Sequence, residues 1–141
     1  MSELTLGIIK PNATAKNKVG EILAMVEREG FRIRGLRMTR LTKAQAEAFY
    51  AVHRERTFYS SLVEFMCSGP VVVMALESDG AVVRWRDTMG ATDPVKAAAG
   101  TIRKRFGDDL QANAVHGSDS FENARTEVAF FFTEADLVGT L

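Results

Sequence analysis

The chain has 141 residues, a length at which a single domain can bury an adequate core without disulfides or structural metal. Apolar residues make up 46% and charged residues 26%, with 18 basic against 18 acidic side chains, a balance that indicates no disorder and argues against a partner as charged as duplex nucleic acid. The single cysteine, Cys67, cannot form an intrachain bridge, and with two distant histidines it offers no metal-ligand spacing, so no protein-held metal is expected.

No apolar run approaches the ~20 residues needed to span a bilayer, and "MSELTLGIIKPN" has no basic segment followed by a long apolar one. A soluble cytoplasmic protein without a membrane partner is expected, with one domain over residues 1–141. In "LTLGII", Leu4, Leu6 and Ile8 alternate with Thr5 and Gly7 and predict a first strand, stopped by Lys10-Pro11-Asn12. From Lys18 to Glu29, Val19, Ile22, Leu23 and Val26 recur at helical spacing, and Gly30 follows where a helix terminator belongs. The stretch "FRIRGLRMTRL" predicts a half-exposed second strand, with Gly35 shifting the alternation as a bulge would.

Thr42 with Gln45, ahead of "AEAFYAVH", and Ser61 with Glu64, ahead of "FMC", have capping-box spacing and predict two short helices. After Gly69-Pro70, the run "VVVMAL" predicts a central strand covered on both faces. A helix through "DGAVVRWRDTM" ends at Gly90, and an irregular stretch punctuated by Pro94 and Gly100 continues to about Asn113. Irregular segments of that length in compact domains usually bind something. A short helix after Ser120, a strand "VAFFF" and a helical turn "EADLV" complete the order β-α-β-(αα)-β-α-loop-β. This order fits an α+β ferredoxin-like βαββαβ sandwich with a four-stranded antiparallel sheet and helices on one face. A doubly wound parallel sheet would need more βα units.

Neither G-x-x-x-x-G-K-[ST] nor G-x-G-x-x-G occurs, so a nucleotide would be held without a glycine-rich loop. His116, in "NAVHGSDSFENA", is either a loop histidine satisfied by a hydrogen bond or a reactive group. Gly117 leaves space beside the ring, and Ser118, Asp119 and Ser120 are helix-opening residues whose free N–H groups favour an anion nearby. A neutral imidazole is a nucleophile, which suits phosphoryl transfer through a phosphohistidine. His53 reads as a solvated or capping histidine, Lys10 as a lysine at a strand end, and Phe58 as a core or stacking aromatic. Arg86 and Arg103 are surface charges, or they converge on phosphates across the Thr92-to-Gly100 loop.

Beyond these readings, "NAVHGSDS" resembles the active-site signature of the nucleoside diphosphate kinases. The blocks "IIKPNA", "FYAVHRER", "FMCSGPVVVMALE", "RDTMGATDP" and "AGTIRKRF" match that family's other segments in order, from Leu4 to about Phe132. The resemblance implies ping-pong transfer of a γ-phosphoryl group from a nucleoside triphosphate to a nucleoside diphosphate through a phosphohistidine at His116, maintaining triphosphate pools. It implies that Ser118 and Glu127 orient His116, and that Lys10 and Tyr50 stand near the transferring phosphate. Arg86, Thr92 and Arg103 would contact phosphates, Lys10 and Asn113 the ribose hydroxyls, and Phe58 and Leu110 the two faces of the base.

The resemblance further implies Mg²⁺ carried by the nucleotide phosphates, and a homo-oligomer, either dimer, tetramer or hexamer. His53 matches a family histidine that is not the nucleophile. Thr57 and Ala99 depart from the pattern, each standing where the family usually has proline. The alternatives are a non-catalytic ferredoxin-like module that binds single-stranded nucleic acid through Phe58 and Tyr59, and a phosphocarrier acting only between proteins.

Overall fold

The computed structural model describes residues Ser2–Gly139. Strand β1 (Ser2–Ile9) is followed by two helices, α1 (Pro11–Ala15) and α2 (Val19–Arg28), and by strand β2 (Arg32–Thr39). Next come α3 (Lys43–Phe49), a 3-10 turn (Ala51–His53), α4 (Tyr59–Met66) and strand β3 (Val71–Asp79). The remainder comprises α5 (Ala81–Met89), α6 (Ile102–Phe106), the short strand β4 (Val115–Gly117), α7 (Phe121–Phe131) and a 3-10 turn (Glu134–Asp136). All four strands pair antiparallel in the order β2-β3-β1-β4, a ferredoxin-like sheet.

The residue alternation in β3 explains the layering. Val72, Met74 and Leu76 pack with Ile22, Met25 and Val26 of α2 and with Trp85 and Met89 of α5. Val71, Val73 and Ala75 point the other way, into a second core with Ala46, Leu62, Val63, Met66, Val128 and Phe131. The helices therefore cover both faces, not one as the sequence reading had it. A central strand apolar at every position requires this, because neither face of "VVVMAL" can be left in water.

Local signals were mostly obeyed. Thr42 and Gln45 form the full capping box, Gly30 takes a left-handed φ of 89° just past α2, and a register shift falls between Ile33 and Gly35. Four details differ. Pro11 does more than end β1, since it opens α1 from a position where a missing N–H costs nothing. Helix α4 starts at Tyr59 with Phe58 before it and no side-chain cap, so Ser61 lies inside the helix. The segment "VAFFF" belongs to α7: Ser120 caps that helix, and Ala124, Val128 and Phe131 form its buried stripe at intervals of four and three residues. The fourth strand is instead Val115–Gly117, just past the irregular stretch, in a segment that carried no strand reading.

Candidate functional site

His116 sits in the middle of β4, an edge strand that pairs only with the end of β1. Gly7 lies opposite Gly117, Ile8 opposite His116, and Ile9 opposite Val115. The strand is entered through a tight reversal in which the Val115 N–H donates to the Asn113 carbonyl at 2.9 Å around Ala114, whose φ is 75°. That is the geometry of a γ-turn of the uncommon, strained kind. Burial holds it in place, together with the Lys10 N–H, which donates to the Ala114 carbonyl at 2.8 Å.

Behind the imidazole, α7 supplies Glu127. His116 Nε2 lies 2.8 Å from Glu127 Oε1, and the same oxygen accepts from the Ser118 hydroxyl at 2.8 Å. Ser118 is fully buried, and its hydroxyl oxygen accepts the Leu6 N–H at 3.3 Å. A carboxylate only accepts, so this contact assigns the proton to Nε2 and leaves the Nδ1 lone pair uncommitted. Phe49 and Tyr50 close on the same ring, with centroids 5.3 and 6.1 Å away.

His116 lines a cavity of about 440 Å³ together with Lys10, Tyr50 and Arg103. Lys10 is nearly buried, and its ammonium donates to Asn113 Oδ1 at 2.8 Å and to the Gln111 carbonyl at 3.3 Å. Burial, with the Arg103 charge adding to it, brings the Lys10 pKa down to about 7. Arg103 donates to the carbonyls of Gly90 at 3.0 Å and Val115 at 2.9 Å, and burial reinforced by Arg86 lowers its pKa to about 10. Tyr50 is pushed well above the usual phenol range, chiefly by burial and then by the Glu127 charge, and its hydroxyl finds no partner among the described residues. Two cations that repel each other in a poorly solvated cavity are stabilised by an anion placed between them.

Toward the mouth, Phe58 and Leu110 expose apolar surface to 44% and 63%. His53 stands 5.4 Å from the Phe58 ring, and Thr57 is exposed. The segment carrying Leu110 is anchored at several points. Asn12 donates to Asp108 at 2.9 Å and to the Ala112 carbonyl at 2.9 Å, Lys16 pairs with Asp108, and the Ser61 hydroxyl donates to Gln111 at 3.2 Å.

Among the residues named from sequence, Lys10, Tyr50, Phe58, Thr92, Arg103, Leu110, Asn113 and His116 line this one cavity. Ser118 and Glu127 stand behind His116. Arg86 is also outside the lining, exposed on α5, though close enough to perturb Arg103. The structure adds Leu62 and Gln111, which carried no sequence signal, and makes His53 part of the wall. No group of three His, Cys, Asp or Glu side chains among the described residues could hold a metal, and no carboxylate lines the cavity. No described helix is long and apolar enough to cross a membrane.

A ferredoxin-like sheet with a carboxylate-held histidine on its edge strand and cations around the adjoining cavity defines an α+β protein with a site suited to phosphorylated ligands. A family profile described as nucleoside diphosphate kinase matches residues 3–137. A nucleoside diphosphate kinase from a Methylobacterium species is 58% identical over 137 residues, covering 97% of this chain and 98% of its own. The nucleoside diphosphate kinase of Aquifex aeolicus superposes with a TM-score of 0.96 at 46% identity, over 98% of this chain and 100% of its own. A halophilic counterpart from Halobacterium salinarum in complex with CDP gives 0.95 at 36% identity, over 100% and 94%. The chain belongs to the nucleoside diphosphate kinase family.

Proposed function

We propose that this kinase works by ping-pong transfer through His116. The observation that carries the reading is the Nε2 contact to Glu127, which leaves Nδ1 as the uncommitted ring nitrogen of His116 in a cation-lined cavity. In the first half-reaction the Nδ1 lone pair attacks the γ-phosphorus of a nucleoside triphosphate. The bond to the β,γ-bridging oxygen breaks, its electron pair leaves with the diphosphate, and the phosphoryl group stays on His116. A second nucleoside diphosphate then attacks with a terminal β-oxygen, and the histidine recovers its lone pair. Glu127 stabilises the imidazolium character that develops at Nε2–H, and Ser118 fixes the carboxylate.

The transition state is loose and spreads negative charge over the transferring oxygens, so the protein's task is positioning and cationic stabilisation. Lys10 and Arg103 supply charge within the cavity, and Arg86 supplies it from beside Arg103. Thr92 and the Tyr50 hydroxyl add neutral donors. Asn113 with Lys10 holds the ribose hydroxyls, and the base enters between Phe58 and Leu110. The donor set fits Mg²⁺ that arrives with the nucleotide, because cations and amides line the cavity and no carboxylate does. The ion neutralises phosphate charge on the substrate.

The same reading places the chain in the cytoplasm as one domain over residues 1–141, acting as a homo-oligomer that maintains triphosphate pools. Incubation of the pure protein with labelled ATP and Mg²⁺ should give protein phosphate that is labile in acid and stable in base, and label should pass to free GDP. Absence of the first product would sink the phosphohistidine. The first product without the second would favour a protein-to-protein relay.

A further inference from the structure

We propose that Trp85 is a positioning residue for phosphoryl transfer, setting the height and tilt of the strand that carries the nucleophile. The inference rests on the assignment of His116 as that nucleophile. Trp85 is the only tryptophan in the chain and is fully buried in α5. Its indole N–H donates to the backbone carbonyl of His116 at 3.0 Å.

The ring lies on a platform made by absence. Gly7 and Gly117 face each other across β1 and β4, and both lack the side chain that would occupy the indole's place. A Cβ on Gly117 would stand 2.6 Å from Trp85 Cδ1, and one on Gly7 would stand 3.2 Å from Trp85 Cζ2. One large flat ring thus bridges the two strands at the register position next to the Ile8–His116 pair. Phe31, edge-on at 5.8 Å, buttresses it from behind.

Edge strands with few backbone partners yield easily to neighbouring forces, and β4 has only three residues. A fully buried indole bonded to the reacting residue's own carbonyl limits that movement. The same helix also ends in Gly90, whose carbonyl accepts from Arg103, so α5 sets the backbone of His116 and the guanidinium of Arg103 relative to one another. Trp85 does not line the cavity, so it acts through His116 and not on the substrate.

The test compares the intact protein with Trp85→Phe, which keeps an aromatic ring and removes the donor. The unsubstituted chain is measured first, and if it forms no acid-labile phosphate the assignment of His116 fails before Trp85 is at issue. Where it does form, Trp85→Phe is expected to keep nucleotide affinity within about twofold and to form phosphohistidine roughly tenfold more slowly, as misplacement of a reacting group predicts. A wild-type rate in a folded Trp85→Phe protein overturns the proposal, and so does a loss of affinity that matches the loss of rate.

The unsubstituted protein provides a second measurement in case the variant folds poorly. Its sole indole N–H gives one amide-type resonance, which should be protected from exchange with solvent water and should shift when His116 becomes phosphorylated. Free exchange, or a resonance indifferent to phosphorylation, also overturns the proposal.

Discussion

At the scale of the residue, the site is governed by how each side chain is held. His116→Ala should abolish transfer, a loss of many powers of ten for removal of a nucleophile, while circular dichroism and nucleotide binding stay close to normal. His53→Ala should retain substantial turnover under the same assay; the reverse pattern would exchange the two roles. Lys10 gives a second prediction, in pH. Its free-state pKa of about 7 comes first from burial, and a bound polyphosphate restores the charged form. Nucleotide binding at pH 8 should therefore take up about one proton, and at pH 6 almost none, which calorimetry in two buffers of different ionisation enthalpy detects. For folding, the sign is opposite to that of a salt-bridged lysine. The unfolded chain keeps this proton up to 10.5 and the folded chain only to about 7, so the contribution of Lys10 to stability is fully present above 10.5 and is lost as pH falls through 7. A Lys10→Met protein should lack that pH-dependent part of the stability. His116 with its neighbours was legible because the signature is contiguous in the chain. Gln111 and Trp85 were not, because the contacts that matter join residues far apart in sequence, such as Trp85 with the His116 carbonyl.

At the scale of the element, the instructive case is "VAFFF". Five apolar residues fit a buried strand or one side of a helix, and nothing within them decides. The decision came from Ser120, whose hydroxyl accepts the Asn123 N–H and starts a helix that runs through the segment. The proposed mechanism depends on that outcome, because helical spacing from Ser120 puts Glu127 against His116 with Phe131 turned into the core. The strand displaced from "VAFFF" was hidden at Val115–Gly117 because three residues carry too little pattern to read. Gly90 makes an element-scale prediction. It ends α5 at φ 88°, and a Cβ there would stand 2.5 Å from the Thr101 hydroxyl. Gly90→Ala should cost about 1 to 3 kcal/mol of stability, read from the urea midpoint at unchanged m-value. It should also raise KM, because the Gly90 carbonyl orients Arg103.

At the scale of the whole molecule, the cavity favours breadth over selectivity. The surfaces proposed for a base, Phe58 and Leu110, are apolar and partly exposed, and stacking tolerates any base. Strong discrimination needs buried polar groups left unpaired by the wrong substrate. Values of kcat/KM for ADP, GDP, CDP, UDP and their deoxy forms should fall within about two powers of ten with one fixed donor. A thousandfold preference would point to Gln111 or His53, polar residues of the wall, as a reader of base edges. The pairing of β1 with β4 also bears on how the protein comes into being. During synthesis β1 is made long before the segment that holds His116, and Glu127 is added later still. A growing chain can bring β1 and β3 together early, yet it has no orienting carboxylate until α7 has left the ribosome. On the proposed mechanism, partly made chains should therefore be inert toward nucleoside triphosphates, and phosphoryl exchange should begin only when the last large helix has docked.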